Sequence, residues 1–505
     1  MTINSVSKPQ FSPVPSDGAI ESRINSELSL EEIAVDLFQA LEEPLLENNF
    51  DRDRIFIINA QLANSIFELY QAPLEGNFRW RKMTPKEATF NLECMLGEQS
   101  DIEELQIHLY FPKNVPGADI ATGGWKKVKN SLYLSLPKGD LKSIKASSSV
   151  LQRSRKDVTK AQLKQLLLGI AFQTALNEKL DPEHQLAANP SMIYYETKTG
   201  KQRFEFQQEW YSGNFTQIQK GLPLTRQKNS ELIFITESKK YELLITLNET
   251  INFAHEFGVV HGDIKGSNIL IEIDKTLKVR PRLSDFDYSK FLGFRPLDSN
   301  ESYIYWDIAR HNGFLLPSCD IHGLVVTLAN DLFPLKIENK DQSWSDKFEC
   351  DEHFRGNLLR QFALIELALN LPNSSLRGEL MFNDIQTPQM TLDTILKLYH
   401  NYAESSLCTE DEREILEALE IELIILEKVI QLLANQFKLG KQLWEKMKDD
   451  PTILDLFESE NTEAKRNGYN SLISTIPHYL TMDDITRELL EIKTLRDKQK
   501  MRPAV

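Results

Sequence analysis

The segment 261–287 constrains the fold of this chain more than any other part of the sequence. It begins with the polar cluster His-Gly-Asp-Ile-Lys-Gly-Ser-Asn and ends with a second polar cluster, Asp-Phe-Asp. The two apolar runs between them, at 269–271 and 279–283, predict two short strands. Strands in these places would hold Asn268 of the first cluster and Asp285 of the second within reach of one metal ion.

The side chains of the two clusters are those that phosphoryl transfer needs. Asp263 can accept the proton of an attacking hydroxyl group, and Lys265 can offset negative charge on the transferred phosphoryl group. The amide oxygen of Asn268 and the carboxylate of Asp285 are hard oxygen ligands, which suit a magnesium ion that faces phosphates. An aspartate that merely caps a turn would account for Asp263 alone. The sequence therefore predicts a site that uses ATP and Mg²⁺.

These clusters resemble the catalytic loop H-R-D-x-K-x-x-N and the D-F-G triplet of protein kinases. A lysine two residues after the catalytic aspartate, here Lys265, implies the serine/threonine form of the family. The H-G-D start also occurs in small-molecule kinases, so the acceptor stays open. Asp287 replaces the glycine of the triplet. Aspartate tolerates left-handed backbone better than most residues, and it adds either a third metal ligand or a repulsive charge.

Gly262 stands where many protein kinases have an arginine that binds a phosphorylated activation loop. Without that arginine, the usual receptor for loop phosphorylation is missing. We therefore expect an enzyme that is constitutively poised or is switched by a partner protein. A poised enzyme would not be activated many-fold by phosphomimetic substitutions at Ser289 and Ser299.

Weaker motifs upstream resemble the phosphate-binding parts of the kinase N-lobe. The stretch 120–128 resembles a degraded Gly-rich loop in which Gly123 and Val128 hold family positions, and an ordinary Gly-Gly hairpin turn is the alternative. Lys145, with Lys142 as its rival, is assigned to the strand lysine that contacts the α- and β-phosphates. These roles are implied by the resemblance.

The remaining nucleotide-site residues follow from the same resemblance. Glu178 is the only acidic residue in 158–180 and is assigned to the helix glutamate that pairs with the strand lysine. If this assignment is wrong, the ion pair is absent. The segment 204–213 resembles the last N-lobe strand and the hinge, where backbone groups of Glu209 and Tyr211 would contact adenine.

A supporting helix is expected downstream of the two clusters. The segment 318–324 resembles the buried helix that supports the kinase catalytic loop, and Asp320 would accept backbone N–H groups from around His261. Asp307 stands in the place of the glutamate of the A-P-E triplet, so the peptide-docking surface departs from the family pattern.

The chain changes from strand-type to helix-type patterns along its length. Patterns typical of strands lie at 107–111, 131–136, 191–196 and 203–208, the last two as a hairpin. Patterns typical of helices lie at 29–48, 158–180 and 238–257. Between them, a polar, Ser-rich connector is predicted at 147–157.

With the resemblance, this order implies an α+β, two-lobed, protein-kinase-like fold with a β-rich N-lobe, a helical C-lobe and helical N- and C-terminal extensions. The predicted parts are a disordered leader (1–28), an N-terminal helical extension (29–101), the N-lobe (102–211), the C-lobe (212–400) and a C-terminal helical module (401–505).

The C-terminal module contains a long amphipathic helix. Thr409 to Glu412 form a capping box, and leucines then repeat at spacings of three and four until Gly440, where we expect the helix to end. Two alternatives are open. The helix either docks on its own C-lobe or presents its apolar face to a partner or a second copy.

Composition restricts the class of protein. The net charge of −16, from 74 acidic and 58 basic residues, argues against a general nucleic-acid binder. No apolar run reaches the length of a membrane span, and the polar start of the chain does not resemble a secretory signal. The four scattered cysteines lack metal or disulfide spacing, which favours a reducing, cytoplasmic compartment.

Uneven retention of kinase motifs beside large helical regions resembles the kinases that intracellular bacteria deliver into host cells through a C-terminal secretion signal. The resemblance implies a protein substrate of the host, an activating partner protein and a place in the bacterial or host cytoplasm. Three rivals stay open: a pseudokinase scaffold, a kinase-fold enzyme with a small-molecule acceptor or nucleotidyl transfer, and a pure interaction protein.

Overall fold

The structure is a computed structural model of the 505-residue chain. Before residue 160 it describes only the backbone of strands and their register. The described residues are 55–56, 91–95, 104–110, 119–122, 126–137, 145–154, 160–188, 191–196, 202–209, 211–225, 232–274, 276–294, 307–332, 352–386, 391–459, 461–477 and 479–500.

The chain divides into two compact units. The first contains Met1–Asn214, Pro223–Ile233 and Leu270–Tyr288, and the second contains Phe215–Leu222, Phe234–Ile269 and Ser289–Val505. The predicted domain boundaries stay predictions.

Strands are concentrated in the first unit. In the described residues they are β1 (Ile55–Phe56), β2 (Asn91–Met95), β3 (Glu104–Tyr110), β4 (Asp119–Thr122), β5 (Lys126–Pro137), β6 (Lys145–Ser154), β7 (Ser191–Glu196), β8 (Gln202–Glu209), β9 (Gly213–Asn214), β10 (Leu224–Thr225), β11 (Leu232–Ile233), β12 (Val259–Val260), β13 (Ile269–Ile273), β14 (Val279–Leu283), β15 (Lys290–Phe291), β16 (Gly293–Phe294) and β17 (Phe314–Leu315).

Helices dominate the second unit. Across the same described ranges they are α1 (Lys160–Lys179, in the first unit), α2 (Phe215–Gln219), α3 (Glu237–Glu256), α4 (Ile308–His311), α5 (Pro317–Leu332), α6 (Glu352–Asn370), α7 (Ser375–Gln386), α8 (Leu392–Ala403), α9 (Glu410–Met447), α10 (Pro451–Glu458), α11 (Thr462–Ser474) and α12 (Met482–Lys500). The protein is thus of mixed α and β structure, with a mostly helical second unit.

The main sheet has eight strands in the order β1-β2-β3-β5-β6-β8-β7, with β4 paired to the start of β5. Its paired strands are antiparallel. The predicted strands at 107–111 and 131–136 and the predicted hairpin of β7 and β8 are confirmed. Helix α1 lies between β6 and β7 in sequence. It ends where Asp181-Pro182 follows, as predicted, because proline disfavours a helical conformation in the residue before it.

Two sequence predictions fail in this sheet. The Ser-rich stretch 147–157 is not a connector, because residues up to Ser154 form β6, whose backbone pairs with β5 on one side and β8 on the other. A central position satisfies the backbone on both edges, and this pairing outweighs the low strand propensity of the serines. Strands β1 and β2 lie inside the predicted N-terminal helical extension, which is therefore not wholly helical.

The segment that follows the predicted catalytic loop forms a small sheet in the order β14-β13-β9. The two strands predicted after Asn268 are therefore confirmed. Leu270 pairs with Asn214, so β13 lies beside the strand that follows the predicted hinge.

Helix α9 is the centre of the second unit. Its predicted capping box is confirmed, since the Thr409 hydroxyl accepts the Glu412 N–H and the Glu412 carboxylate accepts the Thr409 N–H. Its leucines are buried against neighbouring helices, and the Gln436 side chain donates to the carbonyl of Ser318 on α5 at 3.1 Å. The helix therefore packs against other helices of its own unit. This agrees with the first of the two alternatives, in which the helix docks on its own chain.

Gly440 does not end α9, which continues to Met447. The glycine lies where α9 passes the start of α4, and the position of a Cβ atom would be 3.8 Å from Asp307 Cβ and Ile308 Cγ2. These are ordinary van der Waals distances, so an added methyl group would fit and the contact does not require a glycine.

The C-terminal helix α12 packs along α3, the helix that leads into the predicted catalytic loop. Ile485, Leu489 and Ile492 of α12 are buried. The buried Asn248 of α3 donates to Met482 O and Thr486 Oγ1, both at 2.8 Å. Among the described helices, none combines the length and the apolar character of a membrane span.

Candidate catalytic and nucleotide-binding site

The predicted catalytic loop lies in the second unit, between β12 and the start of β13. Strand β12 pairs with β15, with Val260 opposite Lys290. This pairing fixes the start of the loop, and the fully buried Ser289 adds a hydrogen bond from its hydroxyl to the carbonyl of His261 at 3.1 Å.

Three of the predicted site residues come together in this loop. Asp263 is only 3% exposed, and its Oδ2 lies 2.6 Å from Lys265 Nζ. Asn268 Nδ2 donates to the same Oδ2 at 3.1 Å and to the Asp263 carbonyl at 2.9 Å. Because the amide nitrogen of Asn268 donates to Asp263, its amide oxygen is the side-chain atom suited to a metal ion. The structure therefore brings the predicted catalytic pair and one predicted metal ligand into a single cluster.

The backbone before Asp263 is held by a buried carboxylate. Asp320 on α5 accepts the N–H of His261 at 2.8 Å and the N–H of Gly262 at 2.7 Å, which confirms the support predicted for this residue. His255 places Nε2 2.9 Å from the same carboxylate. Sequence reasoning missed this third contact, because His255 has no chemical partner nearby in the chain.

Gly262 has a left-handed backbone with φ of 76°. Larger residues rarely adopt this conformation, so glycine suits the position where the kinase family has arginine. The buried Arg310 of α4 has its Nε 3.5 Å from the Gly262 carbonyl. An arginine is therefore present beside the loop, although it comes from another element.

The structure also bears on Ser289 and Ser299, the two positions named for phosphomimetic substitution. The buried Ser289 cannot receive a phosphate while β12 and β15 are paired, so a phosphomimetic substitution there would damage the loop. Ser299 lies outside the described residues.

Asp285 lies in the first unit, two residues after β14. Its φ is 68°, a rare conformation for a residue other than glycine, and it is followed by a 3₁₀ turn, Phe286–Tyr288. Asp285 and Asp287 are half-buried, whereas Phe286 is buried. Backbone strain of this kind is concentrated at functional sites. The shared metal ion of Asn268 and Asp285 stays a prediction, and the donor set of amide and carboxylate oxygens fits Mg²⁺.

The strand register places the residues predicted to contact the nucleotide at different positions along the strands of the main sheet. Val128 pairs with Gln152 on β6, Glu209 pairs with Ser149, and Lys145 begins β6. Lys145 is thus seven residues from the partner of Val128, or roughly 23 Å along the strand. The structure does not bring Lys145 and Val128 together. Gly123 lies outside the described residues.

Glu178 is exposed near the end of α1. The side chain of Lys145 is outside the described part of the structure, so the ion pair between the two stays a prediction.

The hinge residues have separate environments. Glu209 is exposed at the end of β8, and partial desolvation together with the carboxylate of Glu272 raises the pKa of its carboxyl group. The Tyr211 hydroxyl accepts the N–H of Ala188 at 2.7 Å, and burial raises the pKa of this phenol. The Tyr211 side chain is therefore structural, which leaves its backbone for the predicted adenine contact.

No known protein family matches this chain in a comparison with family models, and no curated protein matches it either.

Proposed function

We propose that the chain is an ATP- and Mg²⁺-dependent kinase, with a two-lobed protein-kinase-like fold, that transfers the γ-phosphate to a hydroxyl group. The cluster around Asp263 carries the proposal. Its carboxylate is buried, yet its ion-pair partner Lys265 has a side chain that is 26% exposed, so a ligand can reach the pair. A purely structural ion pair has no need of this access, whereas the hydrogen bond from the Asn268 amide is what any buried carboxylate requires.

Each residue of the cluster has a distinct role in this proposal. Both side-chain contacts of Asp263 use Oδ2. We therefore assign its Oδ1 to the acceptor hydroxyl, which it would orient and deprotonate. Lys265 would shift from Asp263 to the transferred phosphoryl group and offset its charge. Asn268 and Asp285 would hold Mg²⁺, which when bound neutralises phosphate charge.

The acceptor is proposed to be a serine or threonine of a protein, because Lys265 matches that form of the family. In the effector interpretation the substrate is a host protein, and the enzyme acts in the host cytoplasm. A second candidate is a small-molecule acceptor. It is favoured by Gly262, whose φ of 76° makes the H-G-D form an integral part of the loop.

The proposal is tested by incubating the full-length protein with ATP labelled at either the γ- or the α-phosphate. A mixture of proteins and a set of small hydroxyl compounds serve as acceptors. Wild type should transfer the γ-label, and Asp263→Asn should lower the rate by at least about a thousandfold. Asp411→Asn, at an exposed position in the first turn of α9, is the matched control and should keep the full rate.

The outcomes separate the candidate functions. Transfer of the γ-label to small molecules alone would replace the protein-kinase assignment. Transfer of the α-label would indicate nucleotidyl transfer. Nucleotide binding without any transfer would contradict the enzyme and favour a pseudokinase scaffold.

A further inference from the structure

Helix α1 lies directly on the turn that contains Asp285. A Cβ atom added to Gly169, in the middle of α1, would be 2.4 Å from the carbonyl oxygen of Phe286, 2.8 Å from its carbonyl carbon and 3.4 Å from the nitrogen of Asp287. Only glycine allows this approach of two backbones. Glycine is less favourable than alanine inside a helix, so the contact explains a residue that helix propensity disfavours.

The chain before Asp285 is held as well. Ala187, in the loop 181–188 that follows α1, donates its N–H to the carbonyl of Leu283 at 2.9 Å. Leu283 is the last residue of β14, two positions before Asp285. The strained Asp285 backbone is therefore flanked on both sides by contacts with α1 or with the loop after it.

This loop is itself fastened to α1. Gln173 donates to the carbonyl of Ala187 at 2.8 Å. Asn177 donates to the same carbonyl at 3.0 Å and accepts the N–H of Leu186 at 2.7 Å. Two side chains of the helix thus fix the loop that holds β14.

A buried arginine on β14 also binds the loop that follows α1. Arg282 is 6% exposed, and its guanidinium donates to the carbonyls of Pro182 and Gln185 at 3.0 and 2.9 Å. The carboxylate of Glu272 on β13 accepts from the same group at 2.7 Å. Helix α1, its loop and the β13–β14 hairpin are therefore linked by backbone contacts and by charge-assisted hydrogen bonds.

We propose that α1 and the loop 181–188 form a fixed support for Asp285, with Gly169 as the positioning residue. The support sets the backbone of the Asp285–Asp287 turn before any ligand binds, so the metal-binding carboxylate needs no movement of α1. This inference rests on the proposed function for the role of Asp285, whereas the rigidity of the turn can be measured independently.

The test compares Gly169→Ala with Gly378→Ala in the full-length protein. Gly378 is also a helix glycine, and within the described residues nothing lies within 4 Å of the position of its Cβ. Both substitutions improve helix propensity, but only the first introduces a clash. Asn177→Ala, which removes two hydrogen bonds without a clash, serves as a milder second variant.

Two measurements are made on each variant. The first is amide hydrogen exchange of residues 283–288 in the ligand-free protein. The second is the affinity for a nonhydrolysable ATP analogue, with and without Mn²⁺. Gly169→Ala should raise exchange about tenfold and weaken binding of the Mn²⁺–nucleotide complex about tenfold or more, with binding of the metal-free nucleotide unchanged. Asn177→Ala should change both in the same direction by less, and Gly378→Ala should match wild type.

The results distinguish failure of this inference from failure of the proposed function. Unchanged exchange in Gly169→Ala and Asn177→Ala overturns the support, whatever the protein binds. Equal Mn²⁺–nucleotide affinity in wild type and Gly169→Ala overturns the positioning role. If wild type binds no nucleotide, the proposed function fails, and the exchange measurement alone decides whether α1 is a rigid support.

Discussion

The predicted catalytic loop of the second unit and the main sheet of the first unit are fixed by different kinds of contact. In the loop, Asp263, Lys265 and Asn268 bond to one another within six residues of chain. In the sheet, the described contacts that position Val128 and Lys145 are backbone pairings between the consecutive strands β5 and β6. The loop should therefore respond to the loss of single side chains, whereas the sheet should respond to changes in backbone pairing.

The largest effect is expected from Asp320→Ala. The substitution leaves two buried N–H groups and His255 without their acceptor, so the free energy of unfolding should fall by about 3–5 kcal/mol. Urea unfolding of wild type and Asp320→Ala measures this change in the free energy of unfolding. A loss below about 1 kcal/mol would show that the loop does not depend on this carboxylate.

Two glycines with positive φ allow the effect of backbone strain on stability to be distinguished from an effect on phosphate transfer. Gly262→Ala and Gly221→Ala, at φ of 76° and 64°, should each lower the free energy of unfolding by about 1–2 kcal/mol. Only Gly262→Ala should slow phosphate transfer, by about a hundredfold, because it displaces the backbone of Asp263. Among the described residues nothing lies within 4 Å of an added Cβ at Gly221. Equal rates in the two variants would contradict a role of the Gly262 conformation in positioning Asp263.

The strand register predicts cross-links. Cysteines at 128 and 152 should form a disulfide, because directly paired residues have Cα atoms about 4.5–5.5 Å apart. Cysteines at 128 and 145 should not. With this register, Lys145→Ala should change the affinity for the Mg²⁺–nucleotide complex less than about threefold. Loss of binding in Lys145→Ala would instead support the family assignment of this lysine, and a disulfide between cysteines at 128 and 145 would contradict the register.

The smallest effect concerns pH. Hydrogen bonds from Thr276 and then Arg280 lower the pKa of Asp274 in the β13–β14 hairpin. A depressed pKa contributes stability above the ordinary aspartate pKa of about 4 and loses it as the pH falls below that value. Asp274→Asn should therefore reduce the difference in stability between pH 7 and pH 3. An unchanged difference in thermal unfolding would rule out this contribution.

The sequence predicted those parts of the site whose determinants are close in the chain. The cluster around Asp263, the two strands after it and the capping box of α9 each depend on fewer than about ten neighbouring residues. The support from Asp320 was predicted through the family resemblance. The role of β6, the continuation of α9 past Gly440 and the Gly169 contact depend on partners far away in the chain. No local pattern records such partners, so a glycine inside a long helix looks like a helix end, and serines in a central strand look like a linker.

Mn²⁺ binding tests the central claim, that the segment 261–287 builds one phosphate and metal site. Electron paramagnetic resonance would follow Mn²⁺ titrated into the protein with an ATP analogue, for wild type, Asn268→Ala, Asp285→Ala and the double variant. Each single substitution should weaken binding by about tenfold or more, and the double variant should be little weaker than the worse single one, because both ligands serve the same ion. Wild-type affinity in both single variants would contradict the account.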